Sequence, residues 1–98
     1  MKDAVIVSAA RTPIGKAYRG AFNDLEAPSL SSHAITAAVA RAGVDPGEID
    51  DCIFGAALQQ GTQGGNLGRQ VAMAAGLPVS VSGMSIDRQC SSGLMTIA

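Results

Sequence analysis

Large rings are scarce in this chain: of 98 residues, one is Tyr, two are Phe and none is Trp. Its core must therefore be built from Ala, Val, Ile, Leu and Met, within an apolar fraction of 47%, and small residues let helices and strands approach closely. An excess of either charge is lacking too. Seven Lys and Arg against eight Asp and Glu leave a formal net charge of -1, with no basic cluster or stripe, which excludes nucleic acid and anionic membrane surfaces as main partners. Cys52 and Cys90 are the only cysteines; they make no disulfide framework and point to a reducing compartment, with the cytoplasm as the default. No stretch approaches the roughly 20 apolar residues that span a bilayer. The run from Ala4 to Ala10 lies at the bottom of the range of about 7 to 15 residues for a signal core. Asp3 precedes it and Arg11-Thr12-Pro13 ends it, so a first core strand is the better reading. Asp45, Glu48, Asp50 and Asp51 form no EF-hand spacing, and a solvated turn explains them without a metal.

What is present reads as one domain at most, burying about 60 to 65% of the surface its unfolded form exposes. Val5-Ile6-Val7 is a β-branched run suited to a strand covered on both faces. Residues 11–26 follow as a loop rich in Gly, Pro, Asn and charge, with Tyr18 and Phe22 as its expected packing anchors. A helix is predicted from about Pro28 to Ala42, opened by a proline in its first turn and closed by Gly43. Ile35, Ala38, Val39 and Ala42 share one face, expected to lie on the sheet. A turn at Val44–Asp51 leads to a second strand, Cys52–Ala56. After the glycine-rich stretch Gln59–Asn66 comes a helix from about Leu67 to Ala75, capped by Asn66 and stopped by Gly76 and Pro78. Alternation from Val79 to Ile86 predicts a third strand, and a third helix runs on to Ala98. Strand, helix, strand, helix, strand, helix implies a parallel α/β layer with right-handed crossovers.

The change of period at the end of the third strand falls on Asp87-Arg88-Gln89-Cys90-Ser91-Ser92-Gly93-Leu94. A sulfur at a strand-to-helix turn sits beside backbone N–H groups without helical partners, whose positive potential favours the thiolate. The same N–H groups can receive the oxyanion that forms when sulfur adds to a carbonyl. Ser91, Ser92 and Gly93 are small enough to let a carbonyl approach. A small buried hydrophobe is the other reading of such a cysteine. Cys52 serves as the control: it sits inside an apolar strand without a nearby helix start or cation and reads as inert. His33, the only histidine, lies within the first helix and reads as a satisfied or solvated residue rather than a partner for sulfur. The loop before the second helix, with Arg69, has the makings of a phosphate cradle. It has neither a P-loop nor a dinucleotide fingerprint, and a loop approaching the Cys90 turn or a second subunit is the better reading.

Asp87-Arg88-Gln89-Cys90-Ser91-Ser92-Gly93-Leu94 closely resembles the nucleophile motif of the thiolases. Ala4-Val5-Ile6-Val7-Ser8-Ala9-Ala10-Arg11-Thr12-Pro13-Ile14-Gly15 resembles the opening of the same family. Ile53-Phe54-Gly55, Gly68-Arg69-Gln70 and Ala75-Gly76-Leu77-Pro78 are similar in order and spacing. The resemblance implies an incomplete three-layer thiolase fold, with residues 1–98 as the N-terminal part of that family's N-terminal domain. It also implies an acyltransferase of fatty acid metabolism, either an acetyl-CoA acetyltransferase or a 3-ketoacyl-CoA thiolase. In that chemistry Cys90 carries the acyl group as a thioester, and its backbone N–H belongs to the oxyanion site. Coenzyme A thioesters are then substrates, no cofactor is held, and the full-length protein is at least a dimer. The family's Gly-His-Pro histidine, second cysteine, water-positioning asparagine and most CoA-binding loops have no counterpart here, so these residues alone are expected to turn over little. The rivals are a redox or regulatory thiol in a binding module, a glycine-loop nucleotide binder, and a ketoacyl synthase. The Arg-Thr-Pro-Ile-Gly opening and the surroundings of Cys90 favour the thiolases over the last.

Overall fold

The computed structural model describes residues 1–98. Its elements are α1 (Ala27–Ala42), β1 (Asp51–Gly55), α2 (Leu67–Ala74), β2 (Ser82–Ile86) and α3 (Ser92–Met95), with single 3-10 turns at Pro46–Glu48 and Gly61–Gln63. Local chemistry sets the helix ends. Pro28 occupies the first turn of α1, and Gly43, at φ 67°, closes it by donating its N–H to the Val39 carbonyl. Glu26 makes no side-chain cap. The Thr62 hydroxyl accepts from Ala27 N at 3.2 Å instead, so one of the helix's unpartnered N–H groups is met from 35 residues away.

β1 and β2 pair in parallel, from Asp51 opposite Ser82 to Gly55 opposite Ile86. α2 is the crossover between them and lies on both. Leu67, Gly68, Val71 and Ala72 form its buried face, the i, i+1, i+4, i+5 pattern of a helix seated on a sheet. The seat is unusually close. A Cβ at Gly68 would overlap the Met84 carbonyl, and one at Gly83 would stand 2.5 Å from Arg69 Cα. Helix and strand each give up a side chain where they cross. The core has two parts, Cys52 with Ala72, Leu77 and Val81, and Ala56 with Leu67 and Val71.

The parallel α/β class holds, but five expectations are corrected. α3 ends at Met95 rather than running on to Ala98. Residues 4–10 form no strand: Val5, Ile6 and Val7 are 75%, 76% and 67% exposed. Neither β1 nor β2 pairs with them, and a strand without a ladder partner has nothing to offset its ordering. The segment is tied instead by Arg41, whose guanidinium donates to the Ala9 carbonyl at 2.9 Å. β2 starts at Ser82 rather than Val79, because residues 78–81 turn, with Val81 N–H bonded to the Pro78 carbonyl. α1 packs chiefly on α2, which already occupies the sheet face, though Ile35 and Val39 still reach the core. In the loop, Phe22 is half-buried against Gly15, whereas Tyr18, at φ 67°, is fully exposed and anchors nothing.

The folded chain exposes 7047 Å². An unfolded chain of this mass exposes about 14,200 Å², so only about half is buried, less than the expectation for this length. No helix is long and apolar enough to cross a membrane.

Candidate active site

β2 ends at Ile86 and α3 begins at Ser92, so residues 87–91 form the turn that carries Cys90. Cys90 is exposed. Around it the backbone is unusually committed. Asp87 Oδ1 accepts from Gln89 N at 2.9 Å, an Asx turn of the kind aspartate makes two residues ahead. Arg88 N–H donates to Ser92 Oγ at 2.9 Å. Ser91 N–H donates to the Arg88 carbonyl and Ser92 N–H to the Gln89 carbonyl, both at 3.1 Å. Of the five consecutive N–H groups from Arg88 to Ser92, four are spent within the turn. The fifth, on Cys90 itself, has no partner among the chain's hydrogen bonds.

This closure forces Gln89 to φ 52°, a left-handed conformation that costs a residue with a Cβ roughly 1 to 2 kcal/mol. Ser92 holds the turn shut. It is 4% exposed, and besides accepting from Arg88 it donates its hydroxyl proton to the Gln89 carbonyl at 2.6 Å. The α3 end is pressed against β1: a Cβ on Gly55 would stand 2.5 Å from Gly93 N and 2.6 Å from the Ser92 carbonyl oxygen. The nucleophile candidate therefore rests on the end of the sheet, and only glycine fits at that point of contact.

The remaining candidates are separated from this turn. Cys52 is buried, and its thiol is pushed above the ordinary range by desolvation, with Asp51 adding to the shift. His33 is exposed on α1 and borders a shallow cavity of Thr12, Pro13, Phe22, Leu25, Ser29 and Leu30. Cys90 lines neither that cavity nor the two others on the chain's surface. No group of three or more His, Cys, Asp and Glu is placed to hold a metal ion.

The glycine-rich loop turns its polar atoms inward. Asn66, at φ 59°, caps α2 by accepting from Arg69 N at 3.3 Å and donates Nδ2 to the Gly83 carbonyl at 2.9 Å. Ser85 Oγ accepts from Gly68 N at 2.9 Å. The Arg69 guanidinium donates to the Val79 carbonyl at 3.1 Å and also to the Val81 carbonyl. The Arg69 guanidinium, the Asn66 amide and the Gly68 N–H are thus engaged in fixing α2 to β2 and the residues before it. The sequence offers Ser92 only as a small residue open to an approaching carbonyl, whereas it is buried and braces the turn, and it gives Asp87 no role. An aspartate two residues before Gln89 and a serine four after Arg88 are the local signals for them.

The pattern that describes the thiolase N-terminal domain matches residues 4–98. Over 98 residues, all of this chain, the sequence is 44% identical to a 3-ketoacyl-CoA thiolase of Bacillus subtilis, and the match covers 25% of that protein. It is 40% identical over 97 residues to a 3-ketoacyl-CoA thiolase of Saccharophagus degradans, covering 98% of this chain and 25% of that protein. A 3-ketoacyl-CoA thiolase of Acinetobacter baumannii is 40% identical over 96 residues, again with 98% and 25% covered. The chain spans about a quarter of the length of the curated relatives it matches.

Proposed function

Because the chain belongs to the thiolase family, we propose that it is the front portion of an acyl-CoA acyltransferase whose nucleophile is Cys90. The Cys90 sulfur adds as thiolate to the carbonyl of an acyl-CoA, and the carbonyl π pair moves onto oxygen. Collapse of that adduct breaks the bond to the coenzyme A sulfur, which leaves as a thiol once protonated, and the acyl group stays on Cys90. A second substrate then takes it. In synthesis this is the carbanion of another acyl-CoA, which forms the carbon–carbon bond of a 3-ketoacyl-CoA and releases the Cys90 sulfur. In degradation Cys90 adds instead to the 3-keto carbonyl of a 3-ketoacyl-CoA. The C2–C3 bond breaks with its electron pair going to C2, which is protonated to give the departing acyl-CoA, and the thiol of coenzyme A then takes the acyl group from Cys90. Splitting the transfer in this way is covalent catalysis, with ping-pong kinetics as its signature.

One observation carries the reading: the exposed cysteine sits on a turn in which the N–H groups of Arg88, Gln89, Ser91 and Ser92 are spent, which leaves its own as a donor for a developing oxyanion. The residues that would deliver and remove protons are proposed to come from outside these 98. The chain alone then turns over little, and the full-length protein works as a cytoplasmic oligomer, at least a dimer, on coenzyme A thioesters. The test is to incubate the full-length protein with acetyl-CoA and map the product by peptide mass. One acetyl group on the Cys90 peptide is expected. Label elsewhere, or none alongside ready mixed-disulfide formation at Cys90, favours a redox or regulatory thiol instead.

A further inference from the structure

Ser92 is a buried polar residue that the chemistry above does not use. The residue is 4% exposed in a region where its neighbours on either side, Ser91 and Gly93, face solvent. It performs two opposite tasks at once, accepting from Arg88 N at 2.9 Å and donating to the Gln89 carbonyl at 2.6 Å. The Gln89 carbonyl belongs to the peptide unit that leads into Cys90, and the Arg88 N–H lies two peptide units before it. Since a hydroxyl has one proton and can accept as well as donate, no apolar side chain of similar size can replace both bonds. Alanine at this position removes the acceptor of the half-buried Arg88 N–H and leaves the Gln89 carbonyl held by the backbone N–H of residue 92 alone, at 3.1 Å, so that the carbonyl is less firmly fixed. Rotation of the Gln89 carbonyl is rotation of the Cys90 N–H, because the two belong to one planar peptide group.

Resting on the assignment of Cys90 as the acyl carrier, we infer that Ser92 is a positioning residue: it aims the Cys90 amide at the oxyanion by locking the Gln89–Cys90 peptide plane. Gln89 at φ 52° is the conformational cost of that lock, and the Asx turn from Asp87 supports it on the other side of the peptide. Ser92 is not called on to touch substrate or to move a proton. Its effect is confined to steps in which charge builds on oxygen.

That confinement defines the experiment. In the full-length protein, two rates at Cys90 are compared between the unchanged sequence and S92A: single-turnover acylation by acetyl-CoA, and alkylation by iodoacetamide. Acylation passes through an oxyanion, whereas alkylation at a saturated carbon does not. The expected result for S92A is acylation slowed about 10- to 100-fold, below the loss seen when an oxyanion donor is removed outright, with alkylation changed less than about threefold. S92T keeps the hydroxyl and should recover most of the acylation rate. Equal slowing of both rates in S92A overturns the inference, since it marks general damage to the turn, and so does a folded S92A that acylates normally. If S92A does not fold, amide hydrogen exchange in the unchanged protein decides. Arg88 and Ser92 N–H should exchange much more slowly than Cys90 N–H, and equal rates across the turn overturn the lock. An unchanged protein that never acquires an acetyl group on Cys90 removes the premise, and the inference falls with it.

Discussion

The two cysteines are the same residue with opposite surroundings. Cys52 packs with Ala72, Leu77 and Val81 and holds its proton more tightly than a free thiol because burial and Asp51 both oppose the thiolate. Below the unfolded thiol pKa of about 8.5 both states are protonated, and the group adds no pH dependence. As pH rises from there toward the higher folded value, the unfolded chain loses its proton first. Stability present in neutral solution is then lost. The midpoint of thermal unfolding should therefore drop between pH 7 and pH 9.5, and Cys52→Val should drop less than the unchanged protein; equal drops would place the alkaline sensitivity elsewhere. Cys90 was legible as a candidate because the period of the sequence changes beside it and because its neighbours resemble a known motif. Ser92 was not. A serine hydroxyl can bond to water or to the backbone, and only the pressing of α3 onto Gly55 takes the water away.

At the level of elements, the chain's local signals and its tertiary packing divide cleanly. Pro28, Gly43 and Asn66 act on the backbone within a few residues of themselves, and the ends of α1 and α2 were accordingly readable to within about one residue. Pairing depends on distant chain. Residues 4–10 have the composition of a strand but no partner, and Val79, which continues the alternation of β2, falls in a turn. Arg69 shows how a motif misleads when its partners are unknown. In sequence it strengthens a glycine loop as an anion site, whereas in the fold it straps the residues before β2 to α2 through the Val79 and Val81 carbonyls. Arg69→Met in the full-length protein should lower stability by about 1 to 2 kcal/mol, the loss of charge-assisted bonds to the half-buried Val81 carbonyl and the exposed Val79 carbonyl. It should leave coenzyme A binding nearly unchanged. Loss of affinity at unaltered stability, read from denaturant unfolding and a binding titration, contradicts the strap.

As a whole, the molecule is more open than its length requires. A compact monomer of this mass exposes about 5,200 Å², against 7047 Å² here. Its radius of gyration of 13.7 Å also exceeds the roughly 12.6 Å expected for 98 packed residues. The excess is apolar in places that matter to the site: Val5, Ile6 and Val7 along the N-terminal segment, and Leu94 and Ile97 beyond Cys90, at 70% and 69% exposure. Such surface is characteristic of a face built to be covered, which agrees with a chain that spans about a quarter of its relatives. The proposed chemistry therefore belongs to the full-length protein, and the most direct measurement is its half-reaction. Isotopically labelled coenzyme A should exchange into acetyl-CoA with no other acyl acceptor present, because the proposed Cys90 thioester would form reversibly. Cys90→Ala should abolish that exchange. Exchange that persists in Cys90→Ala would mean that the acyl group travels by another route.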